Sequence, residues 1–359
     1  MRYKDDWHMA KKRLEAFWQG EIIDRCCISL RAPRDGASTA SFDPLPASSA
    51  DRLSWWTDTE RVMARERFRM EHTYFSGEAV PAMDISLGAA GHAGFFKGAD
   101  YRFEDSLWFF PSLEDPDELE FDENSFLYQK MLEMARAFAQ DSRGDYMINL
   151  PPFNGNADAL SHLMGPEMLL PAMIEEPESV TRAMNKMQAA LEKALRAVHE
   201  ITAPVNDGGS LVGWLNTWGP GFHGQMQCDL SVMISNPLFR QFIVPELTAQ
   251  CRMYDQPLYH FDGIEQIRHL DDLLAIPNLK AIQWTQVAGQ PPCTAYLPEL
   301  KKIQAAGKNL VIISDARQIP ELLKYLSPKG LFFVSFANSP QEADDLIRTL
   351  SRAKPAFIC

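Results

Sequence analysis

The sequence predicts an α/β chain folded as one (β/α)8 TIM barrel with N-terminal helical and loop elaborations, and three observations carry that expectation. From residue 209 onward the apolar runs "SLVGWLN", "PLYHFDG", "LKAIQWT", "LVIISDA" and "LFFVSFA" alternate strictly with helical patterns. Three earlier runs bring the strand candidates to eight. All are nearly uniformly apolar, as parallel strands require when helices cover them outside and side chains fill the interior. An open doubly wound sheet is the alternative, but no GxGxxG follows the first strand and no GxxxxGK[ST] occurs.

Taken in order, "MRYKDDWHMAKKRLEAFWQG" reads as an amphipathic helix, without the apolar stretch and small-residue cleavage site of a secretory signal. "EIIDRCCISLRAP" turns apolar toward Arg31 and makes the first strand. Residues 32–56, rich in Ala, Ser, Pro and Asp, read as a lid-like loop. Residues 1–56 thus supply the N-terminal helix, first strand and lid of a single domain spanning 1–359. "ERVMARERFRMEHTYFSG" is a helix closing in Ser76-Gly77, and "AVPAMDISLG" is the second strand. Residues 88–125 are irregular, and "GDYMINLPPF" is the third strand. Val180, Met184, Met187, Leu191, Leu195 and Val198 then recur at three- and four-residue spacing, the packing stripe of a long helix. Asn236-Pro237 and Ser339-Pro340 mark later helix starts, the second with Glu342 completing a capping box.

Hydrophobic residues make up 46% and charged residues 23% of the 359, so the chain has the means to fold throughout. A net charge of −13 leaves no basic excess to release phosphate counterions, which argues against nucleic acid or an anionic membrane as partner. No apolar run is long enough to span a bilayer, and the expected location is the cytoplasm. Cys26, Cys27, Cys228, Cys251, Cys293 and Cys359 form no CxxC pair, a pattern of reduced thiols that mostly serve as small buried hydrophobes.

In such a barrel the reactive groups sit where strands end on the carboxyl face. Those ends offer Arg31, Asp84 and Asn154, then Trp214, Asn216, Trp218, His223, Cys228 and Asp229, and later His260, Asp262, Gln283, Trp284, Ser314, Asp315, Ser335 and Asn338. A substrate pocket is expected from Arg31, Trp214, Asn216, Trp218, Gln283, Trp284 and Asn338. The tryptophans either line a flat pocket for an aromatic or macrocyclic ligand or close the top layer of the barrel. His260 and Asp262, at i and i+2 of one strand, face the same side. They are a catalytic pair, or else a satisfied core histidine followed by a helix-capping aspartate. Cys228 adds a sulfur, so His260, Cys228 and Asp262 form the candidate ligand set of an open zinc site, although neither HExxH nor a paired cysteine motif is present. No GxSxG elbow supports a serine nucleophile.

Four segments resemble the uroporphyrinogen decarboxylase superfamily, which includes the cobalamin-dependent methyltransferases. "RLEAFWQGEIIDRCCISL" resembles the family's opening helix, turn and first strand, with Asp24-Arg25 ahead of the strand. "LSVMISNPLFRQFIVPEL" resembles the stretch where a Ser-Pro helix start leads to a Phe-x-Pro helix, with Asn236-Pro237 here. "LYHFDG" resembles the His-x-Cys-Gly strand end with Asp262 in place of cysteine, and the final βα units fit the family's close. The resemblance implies the barrel and a choice between methyl transfer and tetrapyrrole decarboxylation. Of the arginine run that grips porphyrinogen carboxylates in the decarboxylases, "RAPRDGAST" keeps Arg31 and Arg34. The methyltransferase branch implies zinc, but "FANSP" lacks the family's late cysteine, so the site must be rebuilt, with Cys228 to supply the thiolate. No Asp-x-His-x-x-Gly run is present, so a corrinoid would arrive on a separate protein. The leading expectation is a corrinoid-linked methyltransferase component acting on a small methylated or methyl-accepting compound, with a corrinoid protein and a second copy of the chain as candidate partners. The alternatives are a decarboxylase-like enzyme of porphyrin metabolism and a non-catalytic tetrapyrrole or small-molecule binder.

Overall fold

Strict alternation of strands and helices forces parallel pairing, and the computed structural model, which describes residues 1–34, 42–287 and 289–352, shows it. Its strands are β1 (Cys27–Pro33), β2 (Thr73–Gly77), β3 (Ala82–Met83), β4 (Asp100–Phe103), β5 (Leu107–Phe110), β6 (Met147–Ile148), β7 (Gly209–Val212), β8 (Thr217–Pro220), β9 (His223–Met226), β10 (Gln256–Asp262), β11 (Ala281–Thr285), β12 (Asn309–Ile313) and β13 (Leu331–Phe336). The main sheet runs in the order β2-β1-β13-β12-β11-β10-β9, parallel throughout except for the edge strand β2. A second parallel pair, β3 with β6, reaches β7 through a bridge between Asn149 and Leu211.

The two strand groups face a common interior. Cys27, Leu258, Ala281, Val311 and Phe332 from the main sheet share one buried cluster with Ala82, Met147 and Leu211 from the second group. Leu14, Phe17 and Trp18 of the helix Trp7–Trp18 enter the same cluster and plug its lower end. Every second strand residue points inward, so the intervening ones, such as Tyr259, Phe261 and Ile282, enter the larger core beneath the outer helices. The stripe from Val180 to Val198 lies buried along the helix Pro177–Thr202, as its spacing predicts.

Local structure departs from the sequence reading in four places. The helix expected to reach Ser76-Gly77 stops at Glu71, and Thr73–Gly77 becomes β2, antiparallel to β1. Thr73, Tyr74 and Phe75 favour a strand, and the free edge of β1 offers them a ladder. Gly77 ends that strand at φ 62°, where a Cβ would lie 2.1 Å from the Ile28 carbonyl oxygen. The second of the expected strands shrinks to Ala82–Met83, because Pro81 has no N–H for a ladder. The 88–125 segment contains the hairpin β4–β5, and the expected lid closes in the helix Ser49–Thr57. Residues 35–41 of that lid, and Cys359, lie outside the described residues; the other five cysteines are buried free thiols. Among the described residues no helix is long and apolar enough to cross a membrane.

Candidate functional site

β10 ends in alternation that sends Leu258, His260 and Asp262 inward, and its register sets His260 beside Gln283 and Asp262 beside Thr285. Leu258 lies deep in the interior cluster, so the strand changes from apolar to polar over four residues as it reaches the carboxyl face. There one ligand atom each from Asp229, His260 and Asp262 lies within 4.8 Å of the other two. His260 is buried, Asp262 half-buried and Asp229 exposed at the start of the 3-10 turn Asp229–Met233.

The imidazole is held from behind. Gln283 directs its amide nitrogen to Thr285 Oγ1 at 2.8 Å, and its Oε1 therefore accepts from His260 Nδ1–H. That bond fixes the tautomer and leaves the Nε2 lone pair free, the arrangement by which outer hydrogen bonds orient a metal-ligating histidine. The Trp214 indole meets the His260 ring edge-on at 4.6 Å. From Trp214 a relay of amides runs back to the site: Nε1–H donates to Gln225, Gln225 to Gln227 at 3.0 Å, and Gln227 to Asp229 Oδ2 at 3.0 Å. Loss of water raises the pKa of the Asp229 carboxyl; the His260 charge opposes the rise and the Asp262 carboxylate adds to it. Two carboxylates and an imidazole, packed this closely, form a donor set for a divalent cation.

Beneath the 227–230 segment lie two buried carboxyl groups. Asp158 accepts the backbone N–H of Gly155, Asp229 and Leu230, while Glu246 accepts that of Asn156 and the amide of Gln250. Burial pushes Glu246 up to about 8 and raises Asp158 as well, with Asp229 adding to the Asp158 rise.

A second polar group surrounds the ends of β1 and β3. Asn149 donates to Asp84 Oδ1, and Arg69 stands 3.9 Å from Asp84 Oδ2. Burial raises the Asp84 carboxyl, Glu66 adds to this, and Arg69 and Arg31 oppose it. The Arg31 guanidinium lies over the Phe336 ring at 4.8 Å, its buried Nε makes no hydrogen bond, and burial lowers its pKa, with Arg69 lowering it further.

The structure separates the expected residues into two sets. His260, Asp262, Gln283 and Trp214 come together, while Arg31 lies apart at the end of β1, with β13 and β12 between it and β11. Cys228 does not join them; it is fully buried, burial raises its thiol well above the usual range, and Asp229 supplies the third ligand atom instead. Trp218 is fully buried in the lower plug, where Trp7 packs against it edge-on and its Nε1–H donates to the Asn206 carbonyl at 2.9 Å. Asn216 is a clamp: its Oδ1 accepts from Ser29 Oγ and Val80 N–H, and its Nδ2 donates to the Val80 carbonyl. Trp284 points outward from β11 and stacks on Phe261 at 4.9 Å. Exposed Asn338 is bonded to Glu342 at the start of the last helix. Each of these four departs from its expected pocket role because its polar atoms or its ring face are already occupied within the protein. Asp229 stood among the strand-end residues, but strand alternation could not aim it, because the chain leaves the ladder after Met226.

No protein-family model matches the chain, and no curated protein matches it in sequence. Among solved structures it superposes on a methyltransferase from Methanosarcina mazei with a TM-score of 0.60 at 14% identity, covering 95% of this chain and 98% of that one. The two share a fold. A B12-independent methionine synthase from Shewanella sp. W3-18-1, solved in complex with selenomethionine, aligns at 9% identity over 91% of this chain and 93% of its own, with a TM-score of 0.48.

Proposed function

We propose that the chain is a cytoplasmic (β/α)8 enzyme of the uroporphyrinogen decarboxylase superfamily that transfers a methyl group between a small compound and a corrinoid carried by a partner protein. The observation that carries this reading is the meeting of Asp229, His260 and Asp262 at the strand ends, with Nδ1 of His260 already committed to Gln283. Those three residues would hold a zinc ion. When bound, such an ion supplies Lewis acidity, holding an attacking sulfur or a leaving oxygen as its anion.

The chain's own groups prepare the site for that chemistry. His260 presents a ring nitrogen, and the carboxylates of Asp229 and Asp262 balance the charge of a divalent ion. Gln283 keeps the imidazole from rotating, so the donor atoms need little reorganisation on loading. Arg31 offers a guanidinium to which no carboxylate is hydrogen-bonded among the described residues, suited to an anionic end of the substrate. Trp214 walls the side of the imidazole.

The test is metal analysis of protein purified without a histidine tag, together with corrinoid absorbance as methylcobalamin is mixed with a thiol acceptor. The wild type should hold zinc and change the corrinoid spectrum, and His260→Ala should lose both while the metal-free protein melts as before. A metal-free wild type with a silent corrinoid spectrum would reject the reading, and a spectral response to a porphyrinogen instead would favour decarboxylation.

A further inference from the structure

The ligand atom that sequence could not place belongs to Asp229, and what aims it lies outside the site. Asp229 follows β9 at the point where the chain leaves the ladder and enters a 3-10 turn, so no strand fixes its direction. Its backbone N–H donates to Asp158 Oδ2 at 3.0 Å, and the next N–H, of Leu230, donates to Asp158 Oδ1 at 2.7 Å. Asp158 is itself buried on the helix Asn156–Met164, and its Oδ2 also accepts the N–H of Gly155 at 3.1 Å. Glu246 holds the same helix start through the N–H of Asn156 at 2.7 Å. The contact is close on the other side too: a Cβ on Gly155 would lie 2.3 Å from the Gln227 carbonyl oxygen, two residues before Asp229.

We infer that Asp158 is a positioning residue for the cation site, its two carboxylate oxygens gripping consecutive backbone N–H groups so that the Asp229 side chain reaches His260 and Asp262. The inference rests on the metal reading proposed above and adds to it a residue that contacts no ion. The geometry demands a carboxylate. Both oxygens accept, one on each edge, and an asparagine presents an N–H₂ on one of those edges, facing either the Leu230 N–H or the pair from Gly155 and Asp229. Donor then meets donor, and the turn must shift. Gly155 gives a second way to move the same segment, one that leaves the Asp158 carboxylate in place. Its φ of −67° suits any residue, so Gly155→Ala changes no charge and introduces no backbone strain; the added Cβ clashes with the Gln227 carbonyl oxygen and crowds Asp158 Oδ2 and Glu246 Oε1, each at 3.2 Å.

Zinc affinity of the full-length chain, measured by competition with a chromophoric chelator well below the melting temperature, tests the inference. Asp158→Asn and Gly155→Ala should each weaken zinc binding by about 10- to 100-fold, the range for losing an outer hydrogen-bond partner, while Asp229→Ala and His260→Ala lose it more completely. Far-UV circular dichroism at the same temperature reports whether each variant is folded, and should Asp158→Asn fail to fold, Gly155→Ala carries the test. Folded variants at both positions that bind zinc as the wild type does, against a His260→Ala protein that does not, would overturn the positioning role and leave the site standing. A wild type without zinc affinity, or one indifferent to His260→Ala, would overturn the site and the positioning role together.

Discussion

His223 and His260 lie on neighbouring strands, one at the start of β9 and one near the end of β10, and they show how differently the two ends of this interior treat one residue type. At the lower end His223 is fully buried, Nδ1–H donating to the Gln256 carbonyl at 2.7 Å and Nε2 accepting from Thr217 at 2.9 Å. At the upper end His260 has Nδ1 tied to Gln283, no hydrogen bond on Nε2 among the described residues, and two carboxylates close to its ring. The tryptophans divide the same way: Trp218 is buried in the plug, and Trp214 keeps 36% of its surface exposed beside His260. Occupied polar atoms mark structure, and an unoccupied one at the mouth marks a site. The residue type alone distinguishes neither.

Trp218→Ala should break this contrast most forcefully if it is mistaken. Removing a fully buried indole that packs against Trp7 leaves a cavity and takes from the Asn206 carbonyl one of its two donors, the other being the Gly209 N–H, with an expected cost of about 3–5 kcal/mol. Urea unfolding should show that loss with zinc binding by the folded fraction unchanged. A stable variant that loses ligand binding would move Trp218 to the pocket wall.

This division explains what the sequence made legible. The apolar runs and their alternation expose the parallel sheet, and i, i+2 spacing is enough to aim His260 and Asp262 together, because within a strand local geometry dictates direction. "GWLNTWGPG" defeats the same logic. Its Asn216 is recognisable as a clamp only from its bonds to Ser29 and Val80, residues far away in the chain, and its Trp218 only from the hairpin that returns it to the plug. Cys228 and Asp229 are adjacent, and the turn that presents Asp229 is held by Asp158, 71 residues earlier, which no local pattern announces.

The next largest effect sharpens the comparison through pH. Burial, opposed by the backbone of Gln256 and Thr217, pushes His223 down to about 4 from its ordinary value near 6.5. Between those values the unfolded chain binds the proton and the folded one does not, so stability rises with pH across the window. As pH falls from about 6.5 to about 4 the folded state should lose about 3 kcal/mol through this group, and below that no more. Urea midpoints at several pH values, compared between wild type and His223→Gln, isolate the term as the difference in slope. Equal slopes would mean that His223 titrates as an accessible histidine and that the lower end is open to water.

Smaller again is the clamp. Asn216→Ala strips partners from the buried N–H and carbonyl of Val80, at about 1–3 kcal/mol for an unsatisfied buried group. It also forces alanine to φ 51°, a left-handed conformation costing about 1–2 kcal/mol that asparagine tolerates better. Asn216→Gly loses the same bonds without that strain, so glycine should unfold at higher urea than alanine. If the two unfold together, backbone strain is absent, and hydrogen bonding carries all of the clamp's contribution.

Trp214→Ala should cost least in stability, and for that reason it tests the upper end most directly. A third of the indole is in water, and its polar contact is the donation to Gln225 at the head of the relay that ends on Asp229. Losing an exposed ring that lies outside the packed core should change unfolding free energy by only about 0.5 kcal/mol. The relay, however, loses its first donor, and Gln225 and Gln227 are then free to rotate away from the Asp229 carboxylate. Substrate affinity and zinc affinity should therefore fall while the melting temperature hardly moves, the reverse of the pattern expected for Trp218→Ala. A Trp214→Ala protein that melts early and binds zinc normally would place Trp214 with the core tryptophans and erase the distinction between the two ends.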